Sequence, residues 1–159
     1  MKTGIIIICY NNEIDIDMDR CVKHLNNVKD VEVCLVNNNS KDNTFHILNK
    51  IKEECNNVSV VNIKKFKPEI SAVRAGARFM FNQFNLMQLG YIINVNKLDL
   101  NSLIKMVCNN QDAILNYNSN TKNDKKIGQT LFQSLFSLSD YLKQLNIKNQ
   151  FSSLQNQSK

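Results

Sequence analysis

Residues 4–10, GIIIICY, form an uninterrupted apolar run with no polar residue alternating through it. A strand of this kind has both faces covered, as happens when a parallel sheet lies between two helical layers. The run is also too short and too rich in β-branched residues to be the apolar segment of a secretory leader. The rest of the chain must therefore supply neighbouring strands and the helices that cover them.

It does so in alternation. Residues 15–27 carry Met18, Cys21, Val22 and Leu25 at helical spacing, and VEVCLV (31–36) is a second strand. Phe45, Leu48, Ile51 and Cys55 define a helix over 42–55, with Ser40 or Asp42 as its N-cap. VSVVNI (58–63) is a third strand, followed by a basic loop, KKFKP. Ile70, Val73, Ala77, Met80, Phe84 and Met87 then step by threes and fours as one long helix, and YIINV (91–95) is a fourth strand. A short helix over 100–107 and a strand at DAILNY (112–117) complete a core over 1–117. The polar stretch 118–126 reads as a loop or linker, 127–145 as an amphipathic helix, and 146–159 as a mobile tail.

Strand and helix in regular succession imply parallel strands joined by right-handed crossovers, hence a doubly wound α/β sandwich. Ligands of such folds bind beyond the C-terminal strand ends, where the strand order reverses. That singles out Cys9–Glu13, Asn37–Asp42 and Asn94–Asp99.

The 159 residues suffice for one domain, and a composition of 43% hydrophobic and 21% charged residues is ordinary for a soluble globular protein and indicates neither disorder nor a membrane span. The net charge of +6 comes mainly from dispersed lysines, with Arg20, Arg74 and Arg78 as the only arginines, so no nucleic-acid partner is expected. Cys9, Cys21, Cys34, Cys55 and Cys108 show no CxxC spacing, which argues against zinc and for a reducing, cytoplasmic setting.

Four segments together resemble family 2 glycosyltransferases of the GT-A type. They are IICYNNE (7–13), VNNNSKDNT (36–44), AVRAGARF (72–79) and GYIINVN (90–96). The resemblance implies a GT-A-like three-layer sandwich that binds a nucleotide diphosphate sugar and transfers the sugar to an acceptor. It places Cys9, Tyr10, Asn11, Glu13, Asn37, Asn38, Asn39, Ser40, Asp42 and Arg74 around the nucleotide. Asn94, Asn96 and Asp99 stand where the family has its Asp-X-Asp motif, whose carboxylates hold manganese or magnesium on the diphosphate.

The chain departs from the family at its acidic points. Asn37 replaces the leading acid of the second strand end, though an amide still offers a base edge both a donor and an acceptor. Asn94 and Asn96 are poor ligands for a hard dication, which leaves Asp99 as a weak metal or catalytic candidate. Asp112, Asp124 and Asp140 are unconvincing general bases, and the stretch after the fourth strand is short for the family's acceptor half. A catalytically inactive binding or assembly module, or a nucleotide-binding regulator, is therefore the alternative to an active transferase.

Other readings stay open on the residues themselves. Asn37–Asn39 serve equally as a turn and helix entry. Arg74 and Arg78, four apart on one helix, either face an anion or form a solvated basic edge with Glu69. His24 and His46 lack ligating neighbours at useful spacing. The wide apolar face of helix 127–145, with Leu131, Leu135, Leu138, Leu142 and Leu145 beside Phe132 and Phe136, either packs on the sheet or binds a second copy or a larger transferase.

Overall fold

The computed structural model describes residues 2–93 and 135–137. They form strand β1 (Lys2–Cys9), helix α1 (Met18–Asn26), β2 (Val31–Asn38), α2 (Thr44–Glu54), β3 (Val58–Ile63), α3 (Glu69–Gln83), β4 (Leu86–Ile92) and β5 (Leu135–Ser137). The strands make one five-stranded sheet in the order β3-β2-β1-β4-β5, with every pairing parallel.

Burial follows from that order. β1 and β2 lie inside the sheet and are buried almost throughout, whereas β3 at the edge is half-buried over its middle. Ile5, Ile7, Val33 and Leu35 pack on one face with Cys21 and Leu25 of α1 and Leu48 and Ile51 of α2. Ile6, Ile8, Cys34 and Val36 pack on the other with Ala72, Val73, Ala77 and Met80 of α3. Three layers result, α1 and α2, the sheet, and α3.

The change of face has a topological cause. The chain steps one way from β1 to β2 to β3, then crosses back past β1 to β4. Keeping each crossover right-handed while the direction reverses puts α3 on the opposite face. The reversal also sets the crevice between the C-terminal ends of β1 and β4.

The expected parallel α/β architecture is therefore present, with local corrections. The apolar steps that extended the third helix to Phe84 and Met87 are coincidental: α3 stops at Gln83, Phe84 is extended, and Met87 lies in β4. Pairing of Leu86–Ile92 with β1 outweighs the helical spacing, so the fourth strand begins at Leu86 and not at Tyr91. Ile70, the first of the apolar positions whose spacing marked that helix, is 49% exposed in its first turn. In the amphipathic segment 127–145, residues Leu135–Ser137 form a strand that pairs with Leu89–Tyr91 and covers the open edge of β4, so a continuous helix does not run through them. The helix expected at 100–107, the strand at 112–117, the loop at 118–126 and the tail at 146–159 lie outside the described residues. No helix among the described residues is long and apolar enough to cross a membrane.

Candidate functional site

The parallel register aligns Cys9 of β1 with Asn37 of β2, so the loops that leave these strands run side by side over the C-terminal edge of the sheet. Positive φ at Asn11 (51°) and Asn39 (54°) turns both chains sharply, and asparagine tolerates this conformation better than most side chains do.

The two loops are interlocked. Asn11 donates its backbone N–H to Ser40 Oγ at 3.1 Å, and its Oδ1 accepts the Lys41 N–H at 2.7 Å. The Asn12 N–H reaches Thr44 Oγ1 at 2.8 Å. The Glu13 N–H reaches Asp42 Oδ2 at 3.2 Å, while Glu13 Oε2 accepts the Asn43 N–H at 3.3 Å. Within the first loop the Tyr10 N–H donates to Asn12 Oδ1 at 2.7 Å.

Asp42 is the hub. Its Oδ1 accepts the Thr44 N–H at 3.0 Å and the Thr44 hydroxyl at 2.6 Å, satisfying a donor at the start of α2 where the helix dipole also favours negative charge. Neither expected cap holds the N-cap position, which Asn43 occupies with no side-chain cap hydrogen bond; Asp42, one residue earlier, binds the Thr44 N–H instead, and Ser40 binds the neighbouring loop. Partial burial pushes the Asp42 carboxyl up, but hydrogen bonds from Thr44, Glu13 and its own backbone together hold it below its ordinary value of 3.8.

Thr44 is completely buried, and its hydroxyl both donates to Asp42 and accepts from Asn12. Thr44→Val keeps the shape and leaves the buried Asn12 N–H without that acceptor. A loss of about 1.5 kcal/mol of stability is expected, to be read from urea denaturation at neutral pH.

The consecutive asparagines each have a distinct structural task. Asn37, 3% exposed, donates to Asn62 Oδ1 of β3 at 2.9 Å and accepts the Ser40 N–H at 3.4 Å. Asn38, 1% exposed, makes a reciprocal pair with the backbone of Lys67: Nδ2 donates to its carbonyl at 2.9 Å, and Oδ1 accepts its N–H at 3.0 Å. A carboxylate could not act as the donor in either arrangement. Asn39 is half-buried at the turn.

The remaining residues lie at different depths. Cys9 is fully buried beneath the edge, and burial, with smaller effects of Cys21 and Cys34, pushes its thiol up to about 12. The side chain is thus a packed thiol and not a nucleophile. Tyr10 is 38% exposed, with its ring 5.0 Å from that of Phe66. Arg74 and Arg78 lie on the exposed side of α3, away from the buried stripe Ala72, Val73, Gly76, Ala77 and Met80. Arg74 sits in the second turn of a helix that starts at the same sheet edge.

Asn94, Asn96 and Asp99 fall outside the described residues. Among the described residues no three His, Cys, Asp or Glu side chains cluster as metal ligands. The sequence reading placed Asn12 within Cys9–Glu13 and Thr44 within VNNNSKDNT without giving either a role, and it missed Asn62, Phe66 and the Lys67 backbone as parts of this edge. Only the Asn11-Asn12 pair and the Thr44 of VNNNSKDNT carried any signal, because the other links join residues about 25 to 30 positions apart.

The model of the family described as glycosyl transferase family 2 matches residues 4–150. No curated protein sequence matches significantly. Solved structures similar to the chain include S. aureus TarS, at 18% identity over 58% of this chain and 16% of that one, with a TM-score of 0.46. S. aureus TarS 1–349 follows at 17% identity, covering 67% of this chain and 32% of that one, with a TM-score of 0.46. The same fragment in complex with UDP-GlcNAc gives 18% identity, 67% and 31% coverage, and a TM-score of 0.45. The chain spans less than a third of the length of these neighbours.

Proposed function

Because the chain belongs to glycosyl transferase family 2, we propose that it binds a nucleotide diphosphate sugar at the C-terminal edge of its sheet and passes the sugar to an acceptor. The observation that carries this reading is the interlock of the β1 and β2 loops over the C-terminal edge of the sheet, beside the β1–β4 crevice where strand order reverses. Its hydrogen bonds are satisfied within the protein, so the edge is held in shape before a ligand arrives, and little ordering entropy has to be spent on binding.

In this reading Tyr10 offers an exposed ring to the base, and Asn11, Glu13, Asn39 and Ser40 border the nucleoside. Asp42 stands behind them as the anchor of both loops. Asn37 and Asn38 support the floor through β3 and the 64–68 loop, with Cys9 packed beneath. Arg74 supplies positive charge on α3, whose N-terminal end also favours the diphosphate. Asn94, Asn96 and Asp99 are assigned to the sugar end of the donor.

Manganese or magnesium fits this set poorly, since Asn94 and Asn96 are neutral and only Asp99 offers a carboxylate. The same pair of amides favours a second reading, a member that binds nucleotide without turning it over.

Calorimetric titration of the full chain with UDP, GDP and UDP-GlcNAc, with and without manganese, tests both. Saturable binding with a Kd in the micromolar range, together with release of free UDP or GDP from a sugar donor, is the expected result for the transferase. Binding without release supports the second reading. No binding to any nucleotide overturns both.

A further inference from the structure

Phe66 lies in the loop between β3 and α3, a position with no role in the edge as read from the sequence. Its ring meets that of Tyr10 with centroids 5.0 Å apart and planes at 63°, an edge-to-face arrangement. Both rings remain open to water, Tyr10 at 38% and Phe66 at 53% exposure. Ile70, in the first turn of α3, adds a further 49%-exposed apolar side chain close by in the chain.

The backbones that carry the two rings are held firmly. The Tyr10 N–H is bound by Asn12 Oδ1, and Asn12 is in turn bound to Thr44. The loop beneath Phe66 is gripped at Lys67 by both polar ends of the buried Asn38 amide. Pro68 then fixes φ at −54° ahead of the first turn of α3. A chain that secures two aromatic residues by buried hydrogen bonds and leaves their rings in solvent keeps apolar surface available for a flat, apolar-faced partner.

We propose that Phe66 is a positioning residue of the nucleotide site. It holds the Tyr10 ring at a fixed angle, so that the pair presents a preformed aromatic surface to the base of a nucleoside diphosphate. This rests on the nucleotide-binding reading above and goes beyond it by assigning the base contact to two residues from different loops. It also gives the middle asparagine of VNNNSKDNT a function at one remove: Asn38 sets the height of the loop from which Phe66 reaches Tyr10.

The test is titration of whichever of UDP and GDP binds the wild-type chain more tightly into Phe66→Ala, Phe66→Leu and Phe66→Tyr. Their folding is checked by thermal melting, which an exposed loop residue should barely shift. Phe66→Ala and Phe66→Leu are expected to weaken binding about five- to tenfold, and Phe66→Tyr to stay within about twofold of wild type. Wild-type binding with an unchanged Phe66→Ala overturns this inference and leaves the nucleotide-binding reading intact. Phe66→Leu binding as tightly as Phe66→Tyr also overturns it, because the ring is then irrelevant. A wild-type chain that binds neither nucleotide overturns the inference together with the reading it rests on.

Discussion

Replacing Asp42 by alanine is expected to lower the free energy of unfolding by about 3 kcal/mol, with the loss concentrated at the C-terminal edge of the sheet. The carboxylate receives the Thr44 N–H, the Thr44 hydroxyl and the Glu13 N–H at 2.6 to 3.2 Å. Hydrogen bonds to a charged acceptor each contribute about 1.5–3 kcal/mol, and these share one group, so the sum lies well below three full bonds. The variant also removes negative charge from the start of α2, worth a further fraction of a kcal/mol. Denaturant titration gives the magnitude, and hydrogen exchange at Glu13 and Thr44 shows whether the loss is local.

The same residue gives a pH dependence whose sign is fixed by its depressed carboxyl. In the folded chain Asp42 stays ionised below the ordinary value of 3.8, so the stability it contributes is fully present above that value. It is lost as pH falls through the lower folded value, because protonation then removes the charged acceptor. Asp42→Asn is expected to flatten this part of the acid limb while being less stable than wild type at pH 7. Thermal melting between pH 2 and pH 7 checks both.

Gly76→Val is expected to destabilise the domain by about 2–3 kcal/mol through a different contact. α3 lies so close to the sheet at Gly76 that an added Cβ would sit 2.9 Å from Ile6 Cγ2 and 3.0 Å from Val36 Cγ2. Those methyls belong to β-branched residues inside β1 and β2, whose χ1 angles have little freedom to yield. Replacing a mid-helix glycine gains up to about 1 kcal/mol in helix propensity, and less for valine than for alanine. Overpacking costs about 1–3 kcal/mol for even modest additions, and valine brings two methyls beyond the clashing Cβ. The cost wins, and the displaced helix carries the 64–68 loop with it. Gly76→Ala, with the larger propensity gain and no γ-methyls, should fall between wild type and valine in thermal melting.

The parts of the fold that could be read from the sequence are those set by covalent neighbours. The apolar run of β1 and the third strand at 58–63 are visible as short buried or half-buried stretches, and Cys21, Leu25, Leu48 and Ile51 repeat at helical spacing. Reading failed where two patterns fit the same letters. Phe84 and Met87 continue the spacing of α3, yet the β4 ladder to β1 decides the matter. Leu135 belongs to a helical stripe, yet Leu135–Ser137 pairs with the edge of β4, an influence from residues more than 40 positions away.

The site divides in the same way. Asn39 at a turn and Asp42 bound to Thr44 at the entry to α2 follow from local chemistry, although Asn43, and not Asp42, holds the N-cap position. The roles of Asn37 and Asn38 do not, since Asn62 and Lys67 come alongside only once β3 has paired with β2. Their amides join the end of β2 to β3 and to the loop that follows it. An aspartate cannot substitute in that joining, which gives the unusual run of asparagines a physical reason independent of catalysis.

In the proposed function a nucleotide binds over the interlocked β1 and β2 loops. The most direct test is a nitrogen-15 amide spectrum of the full chain titrated with UDP and GDP. Saturable shifts confined to Tyr10–Glu13, Asn39–Asn43 and the 64–68 loop, with α1 and the N-terminal ends of the strands unmoved, are the predicted result. Shifts centred elsewhere on the chain, or none at millimolar nucleotide, would contradict it.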